Sequence, residues 1–496
     1  MQSMMTHRTV MSGAKAAMLG LALISLANCT SGDDSTSTTG GSAAQQSPLA
    51  FVNNTGDKTL TSVALKGDSG NAVVGTIPSA EFENASLGDM QFSAGEWVFV
   101  NLAAVNKVAT INPLTGATPI HEANLVTGTR PVHMYRDPSD GEVIWSMNDG
   151  DDGTTTPGDD LVNCAAQGGG SVTALHNSHL GPDTKPPFVL GTTCLLADGH
   201  KVAAFSSGAG IPKRAFVTSL DAGEMAVIDD DEASTNYRKL IGRIDLCNSA
   251  KETAPCNDES ATPLTTAFTP NSSVPHSIRW SKLTKKVYSL QEGYEEIVEI
   301  DPTTLAITKT FDLTGLPYAG FGISPDGRFL LLDGDTTPPT GTKLGVIDLG
   351  AAATTRTDFT IPELDGTSTG SFKFSPDGKR FYILAGNATT STKKDRLFAF
   401  DLSTLTATTP ALTLMREIPL IAGGDPVGFL GAHSIDVLTQ GAGEAKYIVV
   451  SNRVGNSLSI INATDNLIKQ TVPVGTLPGK VMVYYPGAAA AGNQAE

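Results

Sequence analysis

Residues 275–301 read PHSIRWSKLTKKVYSLQEGYEEIVEID, and this stretch decides the fold. Apolar residues alternate with polar ones in three short segments, at 278–280, 287–290 and 297–300. Alternation with a period of two predicts β-strands, and the polar residues between the segments predict tight turns. The stretch therefore predicts a small antiparallel sheet made of consecutive strands.

The chain contains further copies of this unit. They are AGFGISPDGRFLLLDG…KLGVIDL (319–349), TGSFKFSPDGKRFYILAG…RLFAFDL (369–402) and AHSIDVLTQGAGEAKYIVVSNRVGNSLSIINA (432–463). A recurring unit of three or four strands at this spacing is typical of a β-propeller blade. In Ser324-Pro-Asp-Gly327 and Ser375-Pro-Asp-Gly378, proline and glycine supply the backbone angles of the turn between the first two strands.

The whole chain divides into such units, which predicts an all-β fold with a single propeller of eight blades. Seven blades is the alternative, if the weak second unit is wrongly delimited. The first unit, 49–77, lacks a good innermost strand, and the isolated strand 480–485 would supply it. Pairing of the N- and C-terminal strands would then close the ring. The other units begin at Ser79, Arg130, His200, His276, Ala319, Thr369 and Ala432.

The two ends of the chain lie outside the predicted propeller, which spans residues 49–486. Residues 1–28 have a short basic region and an apolar run too short to span a bilayer, as in a secretory signal. Leu26-Ala27-Asn28-Cys29 resembles a bacterial lipobox, although Asn28 replaces the usual small residue, and cleavage by an ordinary signal peptidase is the alternative. Residues 29–48 would form a Ser/Thr/Gly-rich tether, and 487–496 a disordered tail.

The five cysteines favour the lipoprotein interpretation. In an exported protein, Cys164 can pair with Cys194 and Cys247 with Cys256, each within one repeat. Cys29 is then left over, and lipidation accounts for it. By the lipoprotein resemblance, Thr30 after the cysteine implies the outer membrane of a Gram-negative bacterium, and a soluble periplasmic form is the alternative.

The chain is acidic, with a net charge of −17. The signal contains Arg8 and Lys15 and no acidic residue, so the mature chain would carry −19. Such a surface repels nucleic acid, and no basic stripe offsets it. Contact with a membrane is expected only through the lipid anchor, and the protein is expected to be a monomer.

The repeats 324–334, 375–386 and 451–479 are similar to the YVTN-type propeller repeats of exported bacterial proteins. The eight-bladed d1-haem domain of nitrite reductases belongs to the same broad class. The resemblance implies the propeller fold and export. It implies little about chemistry, because propellers have many unrelated functions.

Four histidines recur near the predicted start of an innermost strand: His133, His200, His276 and His433. Because these strand starts surround the mouth of a propeller's channel, the imidazoles are expected to converge there. Imidazole is the commonest metal-binding side chain, so the ring suits copper, with zinc, iron or haem as alternatives. The structural alternative is that each histidine bonds only to a neighbouring blade.

Loops between the second and third strands are expected to open on the same face. They would contribute groups that support the metal or contact a ligand, namely Asn148, Asp149, Asp221, Glu292, Asp333, Asn387, Asn452 and Arg453. A Gly/Asp-rich loop could also hold calcium through Asp149, Asp151 and Asp152, although it lacks the spacing of an EF-hand.

These patterns favour a binding module, a propeller lipoprotein that holds a metal, a haem-like group or another small ligand on its top face. It could serve a redox system or a protein partner. The alternative is an extracytoplasmic enzyme, an oxidoreductase or a metal-dependent lactonase, with Glu292 or Asp221 as general base. A plain protein-interaction platform is the third hypothesis.

Overall fold

A computed structural model describes the main part of the chain and carries side chains. The described residues are 47–94, 97–113, 118–138, 140–150, 164, 169–177, 186–195, 199–253, 256, 260–262, 269–315, 318, 320–333, 343–351, 355–364, 367–386, 395–405, 411–420 and 431–485. Among them, no helix has both the length and the apolar character needed to cross a membrane. The predicted signal, Cys29, the C-terminal tail, Asp151, Asp152 and Asn387 lie outside the described residues.

The described residues form eight antiparallel sheets, which are the eight blades of a β-propeller. The prediction of eight blades is confirmed, and the alternative of seven is wrong. The second unit, which the sequence marked as weak, is a complete four-stranded blade. From blade 1 to blade 8, the innermost strands are Pro478–Tyr484, Met90–Phe92, Pro131–Arg136, Ala203–Ser206, Pro275–Ser281, Gly320–Ile323, Ser368–Phe374 and Ala432–Gln440.

Three further strands complete each blade. The second strands are Leu49–Asn54, Val98–Leu102, Val143–Asn148, Arg214–Ser219, Lys286–Gln291, Phe329–Asp333, Arg380–Gly386 and Glu444–Asn452. The third strands are Thr59–Ala64, Lys107–Asn112, Ser171–His176, Glu224–Asp229, Glu296–Ile300, Lys343–Asp348, Arg396–Asp401 and Ser457–Asn462. The outer strands are Ala72–Ile77, Ile120–Val126, Phe188–Cys194, Leu240–Asp245, Ile307–Asp312, Arg356–Thr360, Thr413–Pro419 and Leu467–Pro473.

Short elements interrupt this pattern. Blade 4 carries a fifth strand, Ser260–Thr262, on its outer edge, which the sequence did not predict. Short 3-10 helices lie at Ser79–Phe82, Ala103–Val105, Glu292–Tyr294 and Pro362–Leu364. The helix at Glu292 forms the loop between the second and third strands of blade 5 and positions that carboxylate at the channel mouth.

Strands from both ends of the propeller complete blade 1. Leu49–Asn54 pairs antiparallel with Pro478–Tyr484, with Phe51 opposite Met482. The predicted closure is confirmed. Because the inner strand of blade 1 is the last strand described, its partner would otherwise expose an unpaired sheet edge.

The core is a ring of apolar layers, each between two neighbouring blades. In blade 5, Val287 belongs to the layer shared with blade 4, whereas Tyr288 belongs to the layer shared with blade 6. Successive side chains of a strand point to opposite faces, so the alternation in the sequence divides residues between two layers. The apolar residues thus pack between neighbouring blades and not at the centre of the ring, where a channel remains.

The Ser-Pro-Asp-Gly turns have the predicted hydrogen bonds. The Gly327 N–H donates to the Ser324 carbonyl at 2.7 Å, and Gly327 has a φ of 85°. The Asp326 carboxylate accepts from the Arg328 N–H at 3.0 Å. A Cβ on Gly327 would lie 2.7 Å from the Leu283 nitrogen, so both the backbone angle and the packing require glycine.

Both predicted disulfides are present, Cys164–Cys194 in blade 3 and Cys247–Cys256 in blade 4. Each joins residues of one blade, as the spacing predicted. Disulfides form and persist in oxidising compartments, so they agree with an extracytoplasmic protein.

Candidate functional site

The four predicted histidines lie where innermost strands begin, but they do not share one register position. His276 and His433 are equivalent, because each is the extra residue of a β-bulge near the start of its strand. His133 is paired one position further along its strand. His200 precedes the inner strand of blade 4.

Three of these histidines nevertheless meet, and we call His133, His200 and His276 the histidine cluster. The Nε2 atoms of His133 and His200 are 3.0 Å apart. The rings of His200 and His276 have centroids 5.2 Å apart. The cluster spans blades 3, 4 and 5, and its side chains are 26–44% exposed, so a small ligand can reach them.

Each imidazole of the cluster has a carboxylate near its other ring nitrogen. The Nδ1 atom of His276 is 2.9 Å from Glu292, and that of His200 is 3.2 Å from Asp149. The Nδ1 atom of His133 is 3.5 Å from Asp89. A carboxylate at Nδ1 orients an imidazole and makes its Nε2 more basic, as in many metal sites.

Electrostatics distinguishes His276 from the fourth histidine, His433. The hydrogen bond that the His276 imidazole donates to the Glu292 carboxylate raises the pKa of His276 above its usual value. Burial in the channel wall, followed by the charges of Arg453 and Lys480, lowers the pKa of His433. His433 therefore lies in a cationic part of the wall, apart from the carboxylate-supported imidazoles.

The other predicted contact residues have different surroundings. Glu292 joins the cluster, and Arg453 lies beside His433. Asp221 is exposed and packs on Gly199, next to His200.

Asn452 is fully buried, and its amide donates to Ser457 and Ser459 of the neighbouring strand. Asn148 does the same in blade 3, with Ser171 and Thr173. The Asn452 amide thus makes a contact within its own blade, and blade 3 has an equivalent contact.

Sequence reasoning assigned no role to Asp89, whereas it named Asp149 both as a loop group at the channel mouth and as a possible calcium ligand. Asp89 directly precedes the short inner strand Met90–Phe92 of blade 2, the least regular unit in the sequence, so its position could not be assigned. Asp149 follows a second strand, as Glu292 does, and this shared position is what indicated a role for both. In the structure Asp149 also accepts from the Lys201 N–H at 3.2 Å, which fixes its carboxylate beside His200.

A cavity of about 630 Å³ follows the inner strands through the ring, and residues from all eight blades line it. We call it the channel cavity. It reaches from His433 and Lys480, where inner strands begin, to Pro325 and Pro376 in the turns that follow them. A volume of this size suits a small organic ligand.

Asp333 of blade 6 is the most perturbed acid of the cavity wall. Burial raises its pKa to about 7, and Glu292 acts in the same direction. Arg279 and the Gly320 N–H oppose this shift. Oδ1 of Asp333 is buried without a hydrogen-bond partner among the described residues.

The cluster has the donor chemistry of a metal site without a completed ligand geometry. Within the described residues, no group of three or more His, Cys, Asp or Glu side chains is arranged around a common ion position. Two imidazole nitrogens bound to one tetrahedral zinc ion are about 3.3 Å apart, given zinc–nitrogen distances of about 2.05 Å. The 3.0 Å between His133 and His200 is close to that value. A third bond requires reorientation of the His276 ring.

The propeller resembles solved structures of very different sequence. AztD from Citrobacter koseri superposes with a TM-score of 0.54 at 12% identity, over 89% of this chain and 100% of that chain. Its apo form gives 0.52 at the same identity and coverage. The periplasmic gluconolactonase of Pseudomonas aeruginosa gives 0.47 at 14% identity, over 80% and 98% of the two chains. No protein-family model and no curated protein matches the sequence. The chain is thus similar to these proteins in fold alone, and its function has to be argued from its own residues.

Proposed function

We propose that this protein is an exported β-propeller that binds one transition-metal ion at the histidine cluster. The observation that carries the proposal is the meeting of three imidazoles from consecutive blades, each with a carboxylate near its Nδ1. His133, His200 and His276 would be the ligands. Asp89, Asp149 and Glu292 would orient them.

The chemistry of the ligands favours copper, with zinc next. Neutral imidazole nitrogens suit both ions, and nitrogen sites generally bind Cu²⁺ more strongly than Zn²⁺. The part-exposed side chains leave a coordination position open to water or to a ligand in the channel. Such a site suits metal transfer or a redox partner as well as catalysis.

The test is metal stoichiometry in the purified protein, by elemental analysis and by titration with Cu²⁺ and Zn²⁺. We expect about one ion per chain, and a loss of affinity of at least 100-fold in His200→Ala, because His200 contacts both other imidazoles. His121→Ala is the matched control, since His121 also pairs with a carboxylate, Glu81, but lies on an outer strand. Equal affinity in wild type and His200→Ala would refute the proposal.

We also propose that Cys29 is lipidated and anchors the propeller to the outer membrane. The two disulfides support export, and with all four other cysteines paired only Cys29 is left to be modified. Mass spectrometry of the mature N-terminus should show an acylated Cys29. A free N-terminus at Asn28 would instead indicate a soluble periplasmic protein.

Lactone hydrolysis is the second candidate function. The observation that favours it is Glu292, predicted as a general base, which is 2.9 Å from His276 and 30% exposed at the channel mouth. Asp221, the other predicted base, is exposed and packs on Gly199, the residue before His200. Hydrolysis of gluconolactone that requires both metal and Glu292 would establish this function. Metal binding without hydrolysis would support a binding module instead of an enzyme.

A further inference from the structure

The channel cavity has a charge opposite to that of the chain as a whole. Its wall contains five cationic side chains, from blades 1, 3, 5 and 7 and from the turn after the inner strand of blade 5. Among the described residues, two acidic side chains, Asp333 and Asp436, line it, although the chain carries −17. The cationic residues are Arg136, Arg279, Lys282, Lys373 and Lys480.

Some of these charges are compensated within the wall. Lys373 lies 3.3 Å from Asp436, and Lys480 lies 3.4 Å from Asp89. Asp436 also accepts from the Val483 N–H at 2.7 Å, which fixes the position of its carboxylate in the wall.

Arg136 has no such compensation. Its guanidinium has no hydrogen-bond or ion-pair partner among the described residues, and it is half-buried at the end of its inner strand. Burial lowers its pKa, with no acidic side chain acting against that shift. A buried charge without a partner is costly, and a bound anion would remove that cost.

Arg279 is the second cation that is open to a ligand. Its Nη1 donates to the Ile278 carbonyl at 2.8 Å. The acid that acts on it is Asp333, whose raised pKa leaves it only partly ionised near neutral pH. Arg279 therefore retains donors that a carboxylate or sulfonate can accept.

Aromatic rings adjoin these cations. Tyr135, Phe205 and Trp280, on the inner strands of blades 3, 4 and 5, line the same cavity. The Tyr135 and Phe205 ring centroids are 6.4 Å apart. A cavity wall that combines cationic and aromatic side chains suits a ligand with a negative charge and a flat or ring-shaped body.

We propose that the channel cavity binds a small organic anion with a ring-shaped body, whose acidic group pairs with Arg136 and Arg279. This site is separate from the histidine cluster and does not depend on a bound metal. A cavity of about 630 Å³ accommodates such a molecule together with water.

The test uses anilinonaphthalene sulfonate, a fluorescent organic anion, and uncharged anilinonaphthalene, which has the same rings without the sulfonate. We expect saturable binding of about one sulfonate probe per chain, at least tenfold tighter than the uncharged probe, with and without EDTA. Arg136→Met should weaken the sulfonate probe about tenfold or more, because a hydrogen-bonded charge pair is lost, and Arg136→Lys should restore part of the affinity. Arg416→Met is the matched control, because Arg416 is exposed on an outer strand.

Competition then identifies the ligand class. Benzoate should displace the probe at lower concentration than gluconate or inorganic phosphate, neither of which has a ring. If Arg136→Met does not fold, Arg279→Met provides the same comparison. Absence of saturable binding, equal affinity for the two probes, or unchanged affinity in both arginine variants would overturn the proposal. Loss of metal binding in His200→Ala with intact probe binding would separate this site from the metal site.

Discussion

The histidine cluster and the channel cavity lie along the same inner strands and differ in the ligand that each suits. At the cluster, three imidazoles are near three carboxylates, Asp89, Asp149 and Glu292, which together suit a cation. In the cavity, cationic side chains outnumber acidic ones, and Arg136 has no acidic partner among the described residues. One strand contains both environments, because His133 and Arg136 are only three residues apart. The channel thus changes the sign of its charge within one strand.

Removal of a carboxylate that orients a cluster histidine should have the largest effect, because it should weaken metal binding and leave anion binding in the cavity intact. Glu292→Gln keeps the shape of the side chain but removes the charge near His276. We expect metal affinity to fall about 10- to 100-fold, the usual cost of losing a partner that orients a ligand. Binding of the anionic probe should be unchanged or slightly tighter. Isothermal titration with Cu²⁺ measures the first effect, and probe fluorescence measures the second.

Glu142→Gln is the control for that experiment, because Glu142 lies 3.5 Å from His176, outside the cluster. An equal loss of metal affinity in both variants would mean that the effect is global. No loss in Glu292→Gln would mean that this carboxylate does not support the site.

A smaller effect is expected from pH in the channel cavity. The pKa of Asp333 is raised to about 7, so the carboxyl is mostly neutral near pH 6 and mostly ionised near pH 8. Ionisation adds a negative charge to the wall, and anion affinity should fall as pH rises. A change of about fivefold corresponds to about 1 kcal/mol, the energy of two unit charges ~4 Å apart in water.

The charged groups that act on Asp333 are Arg279 and Glu292, and Asp333 in turn raises the pKa of His276. Asp333→Asn should therefore remove most of the pH dependence of probe binding. If the variant keeps the full dependence, a group other than Asp333 causes it.

The smallest effect is expected at His433. Burial and the charges of Arg453 and Lys480 lower its pKa, so it is uncharged near neutral pH. His433→Ala should change the affinity for the anionic probe by less than about twofold and leave metal stoichiometry unchanged. Loss of metal in this variant would show that four imidazoles act together, as the sequence predicted, and would remove the distinction between cluster and cavity.

The fold could be predicted from the sequence because the strands and turns of most blades are specified by residues within that blade. Alternation in 275–301 specifies which layer each side chain joins, and Ser324-Pro-Asp-Gly327 specifies a turn by local backbone chemistry. Even the closure of blade 1 could be predicted, since 480–485 was a strand without neighbours in sequence. The extra strand Ser260–Thr262 could not, because three residues carry no periodicity.

The candidate site was only partly predictable. The four histidines were recognised by their place in the repeat, but β-bulges shift the register, so place in the repeat does not fix which side chains meet. Arg136 and Arg279 belong to different blades, and in sequence each is indistinguishable from a solvated surface charge. Only the closed ring brings them to one cavity.

The closure of blade 1 by strands from both ends of the propeller matters for truncated forms of the protein. The strand Pro478–Tyr484 completes blade 1 and contributes Lys480 to the cavity wall. A chain shortened by a nonsense mutation or a protease before this strand would lack the inner strand of blade 1. It would also lack Lys480 in the wall of the channel cavity. In such a product the strand Leu49–Asn54 would have an unpaired edge, which is open to pairing with another chain.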